Sequence, residues 1–279
     1  VYESIDAVLN QSTDHLGAVI ASPPKFHINQ ARNFLLNGTC VLLEKPPGIS
    51  LTETLELNQE LNSGRFPDKA KLLLGYTWRW WPSLQELKKK VQAGSIGRPY
   101  YCRIHVSAHL ADWHPWEDYR DFFMSQASLG GGALLDESHW IDQALWLFGP
   151  PTGIHGTIRT SGTLDIDTDD NTNILLSYPD GLEVSLHLDL LGRPHEKHIL
   201  VLGSNGRLDW NEKDNCVNCT DPSGALTRSP FDNKRNDMFS SMAQHFLDCC
   251  CSETSIECTR TDGVAVMRVV EAVRDMSNA

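Results

Sequence analysis

The sequence predicts an α/β layer followed by an α+β domain, and three observations carry that reading. Nearly all-apolar runs at 17–21, 40–44 and 70–76 alternate with helical periodicity, the order of parallel strands buried on both faces. From residue 99 onward strand-like segments follow one another, with tight turns such as Pro179-Asp180-Gly181 between some of them, which favours an antiparallel sheet. Helical patterns near 236–250 and 262–276 close the chain, so helices are expected on one face of a large, mostly antiparallel open sheet. The division falls at 1–76 for an incomplete parallel layer and 77–279 for the second domain.

The chain opens on Val1 and enters at once an amphipathic segment, SIDAVLN, which implies that something precedes it. Gly17-Ala18-Val19-Ile20-Ala21 reads as a strand ended by Ser22-Pro23-Pro24, and a helix from about His27 to Asn37 follows, closed by Gly38. Cys40-Val41-Leu42-Leu43-Glu44 is the second strand and passes directly into Lys45-Pro46-Pro47-Gly48. A helix over 51–62, with Thr52 as its candidate cap, leads to the third strand, Ala70 to Tyr76. A helix from Pro82 to Ala93 gives way to strands at 99–108, 153–160, 171–178, 182–191, 197–203 and 207–210, interrupted by one helix over about 132–147. Asn211 to Gly224 reads as a polar loop.

With 279 residues, 41% of them hydrophobic, the chain can build one large or two smaller cores. The acid excess, 36 Asp and Glu against 24 Lys and Arg for a net charge of -12, repels phosphate backbones and anionic lipid, which argues against nucleic acid as a partner. No run approaches the roughly 18 consecutive apolar residues of a membrane span. No basic stretch followed by an apolar one opens the sequence, so a cytoplasmic location is the expectation. Eight cysteines, three of them consecutive at 249–251, lack the spacing of a secreted disulfide framework. Cys216 and Cys219 have no second ligand pair nearby, and no metal is expected there.

Lys45 stands at the carboxyl end of a buried parallel strand, the edge of an open α/β sheet where ligands bind. Pro46 holds it out of helical geometry; an ordinary strand-end lysine in water is the plainer alternative. The run Gly130-Gly131-Gly132 opens a helix on which Asp136, His139 and either Asp142 or Gln143 recur at three- to four-residue spacing and so share a face. A carboxylate beside an imidazole favours the protonated ring and can hold one tautomer, the equipment of a general acid/base. The same spacing suits a helix-surface ion pair or, with Asp142, a metal hydrolase. Trp78-Arg79-Trp80-Trp81 suits either a flat wall for a sugar ring, with Arg79 as a donor fork, or packing at a domain interface. The polar, aromatic loop from Asp112 to Arg120 is expected over the same cleft. No GxGxxG stands between a strand and a helix, so the chain lacks the pyrophosphate cradle of a dinucleotide site.

Leu42-Leu43-Glu44-Lys45-Pro46, taken with GGALLDESHWID from Gly131 to Asp142, resembles the glucose-fructose oxidoreductase/inositol dehydrogenase/MocA family. Ala18 to Pro24 with His27, Gly94 to Pro99, and Leu202 to Gly206 are similar to further segments of that family, so the resemblance covers essentially the whole chain. It implies a Rossmann-type first domain, incomplete here: the family's first βαβ unit, with its glycine-rich turn, amounts to on the order of 50 to 60 residues that this chain starts after. An exposed sheet edge would result.

The resemblance further implies hydride transfer between a sugar or sugar-derivative hydroxyl and NAD or NADP. His139 would take the hydroxyl proton, Lys45 would stabilise the alkoxide and touch the cofactor, and Asp136 would orient substrate and imidazole. Two residues separate Asp136 from His139, where the commoner family pattern has three. Ser22, Pro23, His27, Glu44, Lys45 and Pro46 are thereby expected at the cofactor, and Arg79, Trp113, Tyr119 and Arg193 at an acidic or amino sugar. A homo-oligomer through the second-domain sheet is expected. The alternative is a non-catalytic sugar-binding or interaction protein of the same fold, because the glycine turn is absent.

Overall fold

A computed structural model describes residues 5–11, 15–252 and 254–277. After helix α1 (Ile5–Gln11), three strands, β1 (Gly17–Ile20), β2 (Cys40–Glu44) and β3 (Leu72–Gly75), pair in parallel in that order. Val41, Leu43, Leu73 and Leu74 are almost completely buried, as continuous apolar runs require when both faces are covered. Helix α2 (His27–Leu36) packs on β1 and β2, and α3 (Leu51–Asn62) follows. The cap of α3 is Ser50 rather than Thr52: its Oγ accepts from Glu53 N at 3.3 Å and Glu53 Oε1 accepts from Ser50 N at 2.9 Å, a reciprocal box that two residues downstream could not form. The expected open edge is β1, where Val19 is 64% exposed and, among the described residues, no backbone group bonds to the outer side.

The second domain is built on β4 (Pro99–Ser107), β5 (Gly153–Arg159), β6 (Asn171–Ser177), β7 (Glu183–Asp189), β8 (Glu196–Gly203), β9 (Gly206–Asn211), β10 (Cys216–Thr220) and β11 (Leu226–Pro230). Their order is β11-β10-β9-β8-β4-β7-β6-β5, antiparallel throughout except for the parallel β4/β7 pair. Period-two alternation sorts the faces: Ile104, Leu186, Leu188, Ile199 and Val201 point inward and are buried, while Arg103, His105, His187 and His198 lie on the outer face. Helices α4 (Pro82–Gln92), α5 (Ala133–Asp136), α6 (Ser138–Phe148), α7 (Arg235–Cys251) and α8 (Arg260–Ser277) complete the fold, with α8 lying against β5 and α6 against α8 and β7.

Further expectations change. The predicted polar loop contains β10, which pairs with the following β11 as an edge hairpin; their Cys-Val-Asn-Cys-Thr and Leu-Thr-Arg-Ser-Pro sequences carry too few apolar residues to alternate visibly. Cys216 and Cys219, three apart on a strand, face opposite ways. The single helix predicted over 132–147 is two, broken at Glu137 (φ -87°, ψ 15°). Trp78 and Trp81 pack rather than form an open wall: Trp78 lies 5.1 Å, ring centroid to centroid, from both Trp81 and Trp140 and 6.2 Å from Trp210. A separate small core gathers Leu110, Phe122, Met124, Leu164 and Leu190 beneath the 109–131 segment.

Candidate active site

Lys45 leaves the carboxyl end of β2 and crosses to the second domain, where its Nζ donates to Asp136 Oδ1 at 2.8 Å and to the Asp136 carbonyl oxygen. Asp136 ends α5, and α5 is placed by Asp169, whose carbonyl accepts from Ala133 N at 2.9 Å and whose Oδ2 accepts from Leu134 N at 2.8 Å. The glycine run makes that cap accessible. Gly132 sits at φ 105°, ψ 156°, a region essentially restricted to glycine, and a Cβ there would lie 2.1 Å from Asp169 Oδ1.

His139 stands in the first turn of α6, half-buried, with the Tyr76 ring edge-on at 5.9 Å. The expected carboxylate–imidazole pair is not formed, because the break at Glu137 separates the two helices and the Asp136 carboxylate is spent on Lys45. His139 Nδ1 is shut off from solvent and has no partner among the described residues. Burial first, then the positive charges of Lys45, Lys197 and Arg235, push its pKa well below the ordinary imidazole value. The ring is therefore neutral near pH 7, the reverse of a carboxylate-stabilised imidazolium.

Two groups here were not singled out from the sequence. Glu137 is buried, accepts from Trp140 Nε1 at 3.1 Å, and is pushed up to about 7 by burial and by the neighbouring Asp136. Lys197 lies on the inward face of β8 with Ile199 and Val201, bonded to Glu212 Oε2 at 2.9 Å and to His195. A lysine at apolar parity in a strand was the available signal.

At the strand ends, the His27 nitrogens lie 2.7 Å from the Ser22 and Pro46 carbonyl oxygens, drawing the loops after β1 and β2 into one rim. Pro23 precedes the short turn that starts α2, Ser22 Oγ donates to Gln30 at 2.7 Å, and the half-buried Glu44 carboxyl lies against Gly75. The expected sugar-side residues are placed elsewhere. Arg79 is 3% exposed, bonded to Asp142 through two nitrogens at 2.9 and 2.6 Å and to the Glu257 carbonyl. Asp142 is consumed by this pair and does not join Asp136 and His139; among the described residues no group of three or more His, Cys, Asp or Glu is placed to hold a metal. Arg193 is exposed and paired with Asp112 at 2.6 and 2.7 Å, while Trp113 and Tyr119 pack on the small core of their own loop.

Fold and site together define an α/β protein with a cluster of charged groups, Lys45, Asp136 and Glu137, at the carboxyl end of a parallel sheet. The chain belongs to the GFO/IDH/MocA oxidoreductase family: the family's C-terminal domain matches residues 84–209, and its NAD-binding Rossmann fold matches residues 1–64. An uncharacterized oxidoreductase of Synechocystis sp. is 28% identical over 214 residues, 68% of this chain and 55% of its own length. The rhizopine catabolism protein MocA of Rhizobium meliloti is 30% identical over 149 residues, 53% of this chain and 42% of its own length. The chain thus spans about half the length of these curated relatives.

Two solved structures share the fold closely. Levoglucosan dehydrogenase in complex with NADH and levoglucosan aligns with a TM-score of 0.85 at 17% identity, covering 96% of this chain and 80% of that one. An inositol dehydrogenase homolog from Azotobacter vinelandii complexed with NAD+ aligns with a TM-score of 0.87 at 14% identity, covering 99% and 81%. Among the described residues, no helix is long and apolar enough to cross a membrane.

Proposed function

We propose that the protein is an NAD(P)-dependent oxidoreductase transferring hydride between a hydroxyl of a sugar or sugar derivative and a nicotinamide cofactor. The observation that carries the reading is the Lys45–Asp136 pair beside a neutral His139. A neutral imidazole can accept the hydroxyl proton, and an ammonium held by a carboxylate can stabilise the alkoxide that results. Asp136 acts through Lys45, fixing its position. The rim that His27 draws together fits the nicotinamide end of a dinucleotide, with Ser22, Pro23, Glu44, Lys45 and Pro46 around it. The cofactor, when bound, supplies the hydride acceptor. Similar folds bind NADH with levoglucosan, which supports a polyhydroxylated ring as substrate. Arg79 and Arg193 are both engaged by carboxylates, so neither is free to favour an acidic sugar.

The alternative is a sugar-binding protein of the same fold without catalysis. Calorimetry with NAD+ and NADP+, followed by cofactor reduction assays across neutral sugars and cyclitols, separates the two. Catalysis predicts reduction that falls about 100-fold or more in His139→Ala and in Lys45→Met with folding intact. Cofactor binding with near-wild-type rates in both variants would end the assignment, and no binding of either dinucleotide would favour the second reading.

We further propose self-association through the outer sheet face, where Arg103, His105, Asn173 and His187 border a cavity of about 650 Å³. Light scattering after chromatography should report a dimer or larger that His187→Glu shifts towards monomer; a wild-type monomer at high concentration would rule this out.

A further inference from the structure

We propose that the pocket between α4, α6 and α7 is a second binding site, for a small ring-bearing monocarboxylate such as an aromatic or sugar acid. The cavity, about 350 Å³, lies near the lower end of the roughly 300–1,000 Å³ typical of small-molecule sites, enough for one ring with a substituent. Trp80 and Trp146 line it, and His245 stands 5.7 Å from the Trp80 ring, giving an aromatic shelf for a ring to lie against.

Some of its polar groups are donors with no hydrogen bond among the described residues. Lys88 Nζ lies 4.0 Å over the Trp146 ring and, among the described residues, has no hydrogen bond or ion pair. His245 Nε2 accepts from Glu257 N at 3.1 Å, which leaves the ring proton on Nδ1 as a donor. Trp146 Nε1 is shut off from solvent and, among the described residues, has nothing to donate to. Partial burial already works against the Lys88 charge, so an anion beside it recovers an interaction that water no longer supplies. Glu257 on the rim opposes a second negative charge and so selects a carboxylate over a phosphate dianion.

This pocket is separate from the Lys45 site, although one helix serves both. His139 and Trp146 are seven residues apart on α6, so they lie along one side of it about 10 Å apart. Arg79 fills the space between, bonded to Asp142 and 6.0 Å from the Trp146 ring.

Calorimetry on the 279-residue chain tests the site with benzoate and glucuronate as ring acids, glucose as an uncharged ring and acetate as a charge without a ring. We expect at least one ring acid to saturate a single site, with glucose and acetate about tenfold weaker or worse. Benzoate alone identifies an aromatic acid as the ligand class, and glucuronate alone a sugar acid. Lys88→Met should lose about tenfold or more in affinity with an unchanged melting temperature, Lys88→Arg should keep most of it, and Lys45→Met should bind as the wild type does. The proposal is overturned if neither ring acid binds, if acetate binds equally well, if Lys88→Met is indistinguishable from wild type, or if Lys45→Met abolishes binding.

Discussion

Arg79 is the residue whose surroundings the sequence hides best. Its guanidinium is buried, grips both oxygens of Asp142, which lies 63 positions away, and reaches Asp262 at 3.2 Å from an element further still. A buried charge is tolerable only when paired, and nothing in a linear pattern announces such a distant partner. Arg79→Leu should therefore cost about 3–5 kcal/mol by stranding Asp142 in the interior. Urea unfolding measures this, and Arg79→Leu combined with Asp142→Leu should recover most of the loss; equal instability of the single and double variants would show that volume, not charge, sets the cost. The placement of Lys45 was legible by contrast, because it follows from local facts: a buried strand before it and Pro46 after it.

At the scale of elements, what was readable is what local sequence determines. The apolar run of β2 and the alternation of β7 and β8 produced strands where expected, within one or two residues. The edge hairpin was not legible, since β10 and β11 owe their existence to pairing with β9 rather than to their own side chains. The break between α5 and α6 was equally hidden, because the cap that fixes α5 comes from Asp169, far along the chain. Gly132→Ala is the sharp probe of that junction. It forces a Cβ onto Asp169 and a backbone angle alanine avoids, and should destabilise the fold by about 1–3 kcal/mol or more. In the catalytic reading it should also displace Asp136 from Lys45 and lower turnover more than stability alone explains. Unchanged melting and activity would mean that the cap is not needed to set the site.

For the molecule as a whole, pH bears on stability through buried imidazoles. Burial holds His27 and His139 below the ordinary value of 6.5, so the unfolded chain takes up these protons more readily than the folded one. Their contribution is complete above about pH 6.5 and is lost as the pH falls through their folded-state values. Glu137, raised to about 7 from 4.5, acts with the opposite sign, its contribution being lost as pH rises through 7. A difference between variants isolates the histidine effect: from pH 7.5 to 5.5 the wild type should lose more unfolding free energy than His139→Gln. Parallel losses would show that His139 titrates alike in both states. The order of the layers was foreseeable because parallel and antiparallel sheets differ in apolar pattern, whereas the parallel β4/β7 contact joins strands 75 or more residues apart and left no local trace.

The uncovered flank of β1 has a consequence in colloid chemistry. Gly17 to Ile20 offer a row of backbone groups with no partner on their outer side among the described residues, with Val19 and Leu16 exposed beside them and a notch of about 420 Å³ between the strand and α7. Such a border acts as a growth front: any extended segment that reaches it, from the same chain species or another, can lengthen the ladder. Concentrated solutions of this chain should thicken by strand addition at that border, and a lysine in place of Val19 should act as a terminator.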